Sequence, residues 1–152
     1  MDMKADRPWL KARMIIEILG TPENYVNETL ALIGEKFGQG LEEIKVTDIK
    51  VKEAQKVQAK NSENFYSGFL EIDASFADLY VLFGVIFDYL PSSVEIYEPQ
   101  EFTDSIGSVM DVINDLIARL HQYDSALKTE KARNMLLARE LMKFKEAKPA
   151  KV

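Results

Sequence analysis

The chain has 152 residues, of which 47% are hydrophobic and 29% charged, and its net charge at pH 7 is −6. This length and composition are typical of one globular domain with its own core, and they exclude the disordered and fibrous classes. The chain contains no cysteine, which excludes disulfide frameworks, thiolate metal sites and cysteine nucleophiles. The acidic balance disfavours broad contact with nucleic-acid phosphates.

The sequence predicts no contact with a membrane. Its N-terminus, MDMKADRPWLK, carries charges where a signal peptide needs an apolar run. The longest apolar stretch, FADLYVLFGVIFDYL, is too short and too interrupted to span a bilayer. We therefore expect a cytoplasmic protein.

The first half of the chain predicts a strand, a helix and a hairpin. Met14 to Leu19, MIIEIL, is short, β-branched and closed by a glycine, which is typical of a central strand. A helix follows, with Thr21 as its N-cap and Pro22 at its first position, and the sequence GQG ends it. Residues 44–58 and 65–74 then predict the two strands of a hairpin, with a bulge near Asp48 where the apolar alternation changes phase.

The second half predicts a helix, a short strand and one very long helix. Ser75 and Asp78 resemble a capping box that starts a helix ended by Pro91. The apolar row of that helix is predicted to face a core, and it consists of Leu79, Phe83, Ile86 and Leu90. The rest of its surface is also apolar, so we expect the helix to be covered on more than one side. The segment SSVEIYEP predicts a last strand, and residues 102–147 have helical periodicity without proline.

This order of elements predicts an α+β fold of the ferredoxin-like βαββαβ type, with strand order 4-1-3-2. Residues 1–99 would form this domain. Residues 100–147 would form a long C-terminal helix that makes a parallel dimeric coiled coil, and residues 148–152 a disordered tail. The fold serves many functions, so function has to be argued from sites.

A heptad repeat runs along the predicted C-terminal helix and indicates a homodimer. Position a runs from Ile106 and position d from Val109, and Asn134 occupies one a position. Paired asparagines at an a layer specify a parallel register at a cost in stability. The predicted dimer contacts are Leu120, Tyr123, Leu127, Asn134, Leu137, Leu141 and Phe144. The alternative is a helix that folds back on its own domain.

Two groups of charged residues are candidate sites. Strand parity predicts that Glu17, Glu71, Asp73 and Glu95 share the sheet face opposite the helices. Of these, Glu17, Glu71 and Glu95 form a possible metal or acid–base site, although carboxylates on a solvated or ion-paired face are the commoner case. Lys50, Lys52 and Lys56 form a possible anion contact.

Other chemistry finds little support. His121 has no serine and acid partners for a triad, and GQG lacks the lysine and hydroxyl of a phosphate loop. RNA-recognition modules use the same fold with aromatic residues on their middle strands, but the strand MIIEILG has none, so RNA binding across the sheet is disfavoured.

We therefore predict a non-enzymatic homodimer that binds another protein as an adaptor, scaffold or chaperone-like factor, with no cofactor. The first alternative is a regulatory domain that senses a small ligand at the dimer interface, near Tyr25, Tyr80, Phe87 or Tyr97. The second alternative is a metal-dependent enzyme that uses the carboxylates of the open sheet face.

Overall fold

A computed structural model describes residues 7–58 and 64–147 of the chain. They form an α+β structure with a four-stranded antiparallel sheet, two helices that follow strands of this sheet, and a long C-terminal helix. The chain divides into two compact units, Met1–Val109 and Met110–Val152. We call the first the sheet unit. The predicted tail, residues 148–152, lies outside the described residues.

Strand β1, Leu10–Gly20, lies inside the sheet and is longer than the predicted Met14–Leu19. Its buried residues alternate from the start, because Leu10, Ala12, Met14 and Ile16 all point into the core. Arg13 lies between two of these positions and therefore points to the opposite face. The early part of the strand was missed because this alternation begins before the β-branched run.

Helix α1, Glu23–Lys36, buries Val26 and Leu30 against the sheet. Thr21 is not its N-cap as predicted, since Pro22 occupies that position and no side chain caps the helix. The predicted stop at GQG is confirmed. The helix ends at Lys36, and Gly38 follows with a φ of 69°, a left-handed conformation that glycine adopts at low cost.

Strands β2, Ile44–Lys56, and β3, Tyr66–Phe76, pair antiparallel as the predicted hairpin. The predicted bulge near Asp48 is confirmed by a register shift between Val46 and Asp48. A second, unpredicted shift lies between Lys52 and Gln55. Beside it, the backbone N–H of Ala54 donates to Oδ1 of Asn27 in α1 at 2.8 Å, which satisfies a backbone group on this edge strand.

Helix α2, Leu79–Tyr89, starts later than predicted because β3 continues through Ser75 to Phe76. The predicted capping box is therefore wrong. Asp78 is itself the N-cap, and its Oδ1 accepts from the backbone N–H of Val81 at 2.9 Å. The predicted core row is also wrong in part: Leu82 and Val85 are the buried residues, whereas Leu90 is 64% exposed.

Strand β4, Ser93–Glu98, is short and pairs with β1 at the sheet edge. The sheet order is β2-β3-β1-β4, which is the predicted order read from the other edge. All neighbouring strands are antiparallel. Alternate residues of β1 and β3 meet α1 and α2 in one core, whose largest fully buried side chains include Phe76, Met14 and Ile72.

Helix α3, Ile106–Ala147, begins six residues after the predicted start at residue 100 and has 42 residues, which gives a length of about 63 Å at ~1.5 Å per residue. Ser105 precedes it and caps it, because its Oγ accepts from the backbone N–H of Ser108 at 3.1 Å. The helix is continuous as predicted. None of the described helices is long and apolar enough to cross a membrane.

Candidate functional site

The face of the sheet that points away from α1 and α2, which we call the open face, carries all four predicted carboxylates. In the strand register, Arg13 of β1 lies opposite Asp73 of β3 on one side and Glu95 of β4 on the other. The next cross-strand pair along this face is Ile15 with Glu71, and the pair after that is Glu17 with Phe69. The carboxylates therefore share a face but are separated by other side chains.

Arg13, which the sequence reasoning missed, lies at the centre of the open face. Its Nε and Nη2 atoms donate to the two carboxylate oxygens of Asp73, each at 3.1 Å, and Nε lies 3.8 Å from Oε1 of Glu71. The hydrogen bonds to Asp73, followed by the charges of Asp73 and Glu71, raise the pKa of Arg13. A single guanidinium thus lies beside two acidic residues of the neighbouring strand β3 and makes its hydrogen bonds to one of them, Asp73.

Two lysines form further ion pairs with acidic residues of the open face. Lys50 Nζ lies 3.5 Å from Oε1 of Glu71 and 3.8 Å from Oδ2 of Asp48. Lys11 Nζ lies 2.5 Å from Oε2 of Glu98, and this hydrogen bond raises the pKa of Lys11. Lys50 is therefore held in a charge network, and of the three lysines predicted to contact anions it is the least available.

The structure does not gather Glu17, Glu71 and Glu95 into a metal-binding group. Among residues 7–58 and 64–147, no three acidic or histidine side chains are close enough to hold one ion. Oε1 of Glu17 instead accepts from the hydroxyl of Ser67 at 2.6 Å. Among the described residues, the ion pairs of the open-face carboxylates include those with Arg13, Lys11 and Lys50.

A cleft of about 270 Å³ opens where β2 makes its second register shift, and we call it the β2 cleft. It is lined by Glu17, Lys52, Glu53, Gln55, Lys56, Val57, Ser67 and Phe69. The ammonium of Lys52 lies 5.4 Å from the centre of the Phe69 ring, within cation–π range. Two predicted anion-contact lysines, Lys52 and Lys56, thus meet one predicted acidic residue, Glu17.

Gly68 explains why the two strands come so close beside this cleft. A Cβ atom at Gly68 would lie 3.0 Å from the carbonyl oxygen of Lys52, 3.1 Å from the amide nitrogen of Ala54 and 2.6 Å from Cδ1 of Leu30. Only glycine leaves room for the shifted strand and for the α1 side chain beneath it.

The tyrosines suggested for a ligand pocket do not line the β2 cleft. Tyr25, Tyr80 and Tyr97 are about half exposed and belong to α1, α2 and β4. An aromatic wall of the cleft is supplied by Phe69 of β3 instead.

The predicted dimer contacts lie exposed along α3. Every residue from Leu120 to Ala147 is exposed in the single chain. The exposed fractions of the large apolar contacts are 55% for Leu120, 50% for Tyr123, 54% for Leu127, 50% for Leu137, 62% for Leu141 and 73% for Phe144. We call this row, together with Asn134, the seam.

Apolar residues are exposed on more than one side of α3 at its far end. After Leu120, apolar residues near the C-terminus are not confined to the a and d positions. Met135 and Met142 are 60% and 65% exposed at b positions, and Leu136 is 59% exposed at a c position. Positions b and c lie on the outer side of a coiled-coil helix, away from the a and d residues. These side chains therefore form a second exposed apolar surface, separate from the seam.

An ion pair in the sheet unit holds the segment that leads into α3. Arg7 Nη1 donates to Oδ1 of Asp104, whose side chain is only 3% exposed. Burial acts to raise the pKa of Asp104, but hydrogen bonds from the Ser105 backbone, Ser108 and Arg7 outweigh it, so the pKa lies below its usual value. The N-cap of α3 is thereby tied to the segment preceding β1.

Comparison with other proteins places the chain in a family but supplies no activity. No curated protein and no solved structure is significantly similar to it. The profile of one family matches residues 11–140, a span that runs from β1 into the last third of α3. Since this match covers most of the chain, the protein belongs to the MJ0538 family.

Proposed function

We propose that the protein is a non-enzymatic homodimer that acts as an adaptor, scaffold or chaperone-like factor, with two α3 helices paired in a parallel coiled coil. The observation that carries the proposal is the exposure of the whole seam from Leu120 to Phe144 in the single chain. Large apolar side chains repeated along one helix at heptad spacing are the usual mark of a helix partner.

The energetics of an isolated helix support a partner for α3. Helical stability in proteins comes mostly from burying an apolar face, and propensity alone contributes little. Burying a leucine fully is worth about 1.5–3 kcal/mol, and the seam contains four leucines that are each at least half exposed. A second copy is the simplest partner because its seam has the same spacing and charges.

The charges along α3 are compatible with this pairing. The ion pairs within the helix include Lys128 with Asp124 at 2.6 Å, Arg119 with Asp115 at 3.1 Å, and Arg133 with Glu130 at 3.2 Å. Between chains, the heptad positions would bring Arg119 next to Asp124 and Glu140 next to Lys145. These two pairs carry opposite charges, whereas Glu130 lies at a d position, where it would face its own copy and weaken the seam locally.

We also infer that the sheet unit has a ferredoxin-like fold. The element order β1-α1-β2-β3-α2-β4 and the sheet order β2-β3-β1-β4 support this assignment.

A dimer built through α3 would offer every surface of this unit in duplicate, which is a useful property in an adaptor because it adds avidity. We place the protein in the cytoplasm as part of the same proposal.

The absence of cysteine from the chain allows a direct test of the parallel register. In a parallel dimer with matched register, a cysteine replacing Leu127 lies opposite its own copy, close enough for a disulfide. Under mild oxidation, Leu127→Cys should form a crosslinked dimer, whereas Ser125→Cys, two residues away at an outward f position, should not.

Light scattering of the unmodified chain at micromolar concentration completes the test. A monomer would refute the dimer. The parallel arrangement would be refuted if the protein is a dimer but Leu127→Cys does not crosslink to its own copy. It would have to crosslink instead to a second variant that carries its cysteine at a distant seam position.

A further inference from the structure

The β2 cleft lies entirely within the sheet unit and contains charges of both signs. Its lining includes two acidic residues, Glu17 and Glu53, and two basic residues, Lys52 and Lys56. Lys52 pairs with Phe69 on the open face, and Lys56 pairs with Tyr66. One of the carboxylates is oriented, because the Ser67 hydroxyl donates to Oε1 of Glu17 at 2.6 Å. The formal charge of the lining is therefore balanced, with donors and acceptors both present.

The same cleft has an apolar wall. Phe69 lies in the row of β3 that pairs with Glu17 of β1 on one side and Lys52 of β2 on the other. Its ring and the side chain of Val57 both line the cleft. An aromatic ring therefore lies between an oriented carboxylate and an ammonium group, on three adjacent strands.

We propose that the β2 cleft binds a small zwitterion with an apolar side chain, in the chemical class of free α-amino acids. The ammonium of such a ligand would bind Glu17, its carboxylate would bind Lys52, and its side chain would pack on Phe69, three residues of one cross-strand row. The charge-assisted hydrogen bonds at both ends supply recognition, and the ring supplies apolar contact.

Charge and size select this class over the alternatives. A lining with two charges of each sign repels part of a dianion such as a nucleotide, but it complements a molecule that carries one charge of each sign. The volume of about 270 Å³ lies just below the ~300–1,000 Å³ of typical small-molecule pockets, which suits an amino acid better than a nucleotide.

The site differs from the dimer-interface pocket expected of a ligand sensor, because the residues that line it belong to β1, β2 and β3, apart from Val57 next to β2, and lie far in sequence from α3. The proposal therefore does not depend on the dimer proposed above. A monomeric protein that binds amino acids would refute the dimer alone, and a dimer that binds none would refute the cleft alone.

The test is calorimetric titration of the full chain with leucine and phenylalanine, each compared with its N-acetyl and its amide derivative. N-acetylation removes the ligand's ammonium and amidation removes its carboxylate, so each derivative should bind at least about tenfold more weakly, equivalent to ~1.4 kcal/mol. Equal binding of the N-acetyl form would show an anion patch only and overturn the proposal, as would a lack of saturation by either amino acid.

Single substitutions locate the site. Glu17→Gln should remove the preference for the free amino acid over its N-acetyl form, and Lys52→Met should remove the preference over the amide. Lys50→Met is the matched control, because Lys50 lies on the same strand but pairs with Glu71 outside the cleft. The assignment would be overturned if both cleft variants, each shown by its melting curve to be folded, still preferred the free amino acid over its N-acetyl and amide derivatives as the wild type does.

Discussion

Replacing Gly68 with alanine tests how closely β2 and β3 approach each other beside the β2 cleft. The new methyl group would lie 3.0 Å from the Lys52 carbonyl oxygen and 3.1 Å from the Ala54 nitrogen, both of which are backbone atoms. It would also lie 2.6 Å from Cδ1 of Leu30, a residue that is 0% exposed and has little room to move. The contacts are too short to be tolerated without a shift of the strand.

The expected cost follows from overpacking. Forcing one extra methyl group into a filled core typically costs about 1–3 kcal/mol. For a chain of this length each kcal/mol lowers the melting temperature by about 2–4 °C, so we expect a decrease of roughly 2–12 °C. Urea unfolding at a fixed protein concentration should show a lower midpoint with an unchanged slope.

Gly34→Ala is the matched control for this experiment. A Cβ atom at Gly34 would meet Leu70 at 3.7 Å and Ile49 at 3.8 Å, which are ordinary packing distances. Because alanine is favoured over glycine inside a helix by about 0.5–1 kcal/mol, this variant should be as stable as the wild type or more stable. The reasoning would be refuted if Gly68→Ala unfolds at the wild-type midpoint, or if both variants lose the same stability.

Three further predictions concern α3, the open face and the segment before α3. Asn134→Ile should raise the melting temperature, because a polar layer becomes apolar, and light scattering should detect trimers or larger species beside the dimer; no change in either would contradict the parallel coil. Asp73→Asn should lower the urea midpoint more than Glu71→Gln, because Asp73 makes the hydrogen bonds to Arg13 and its side chain is only 12% exposed; a larger loss for Glu71→Gln would place the main contact elsewhere. Since the folded-state pKa of Asp104 lies below its unfolded value of about 3.9, its stabilisation is present above that pH and is lost as the pH falls through the lower folded value. The stability difference between wild type and Asp104→Asn, followed by urea unfolding, should therefore be full at pH 7 and should shrink below about pH 4, and a difference that grows on acidification would refute the ion pair with Arg7.

Much of the architecture could be predicted from the sequence because apolar periodicity follows directly from the geometry of strands and helices. The order of elements, the hairpin with its bulge near Asp48 and the strand order all agree with the structure. The long uninterrupted helix follows from heptad spacing without proline. These features depend on residue patterns along the chain, which can be recognised without knowing how the elements pack.

Element boundaries required the tertiary structure. Ser75 and Asp78 are spaced as a capping box, but pairing with β1 and β2 extends β3 through Ser75, so Asp78 alone caps the helix. The buried row of α2 is likewise decided by which side meets the sheet, because the helix is apolar nearly all round. Local propensity cannot choose between such faces.

The chemistry of the open face was decided by neighbours across strands. The carboxylates could be assigned to one face from parity, but the cation at their centre, Arg13, lies on a strand whose early part was missed. The alternation of Leu10, Ala12 and Met14 was the signal that could have revealed it. The β2 cleft depends on a register shift and on the close approach at Gly68, for which an isolated glycine within a strand was the only sequence sign. The sequence by itself therefore determined which elements form and in what order, since that depends on periodicity along the chain. Only the tertiary structure decided which charges meet, because cross-strand distances depend on register and bulges that no local pattern encodes.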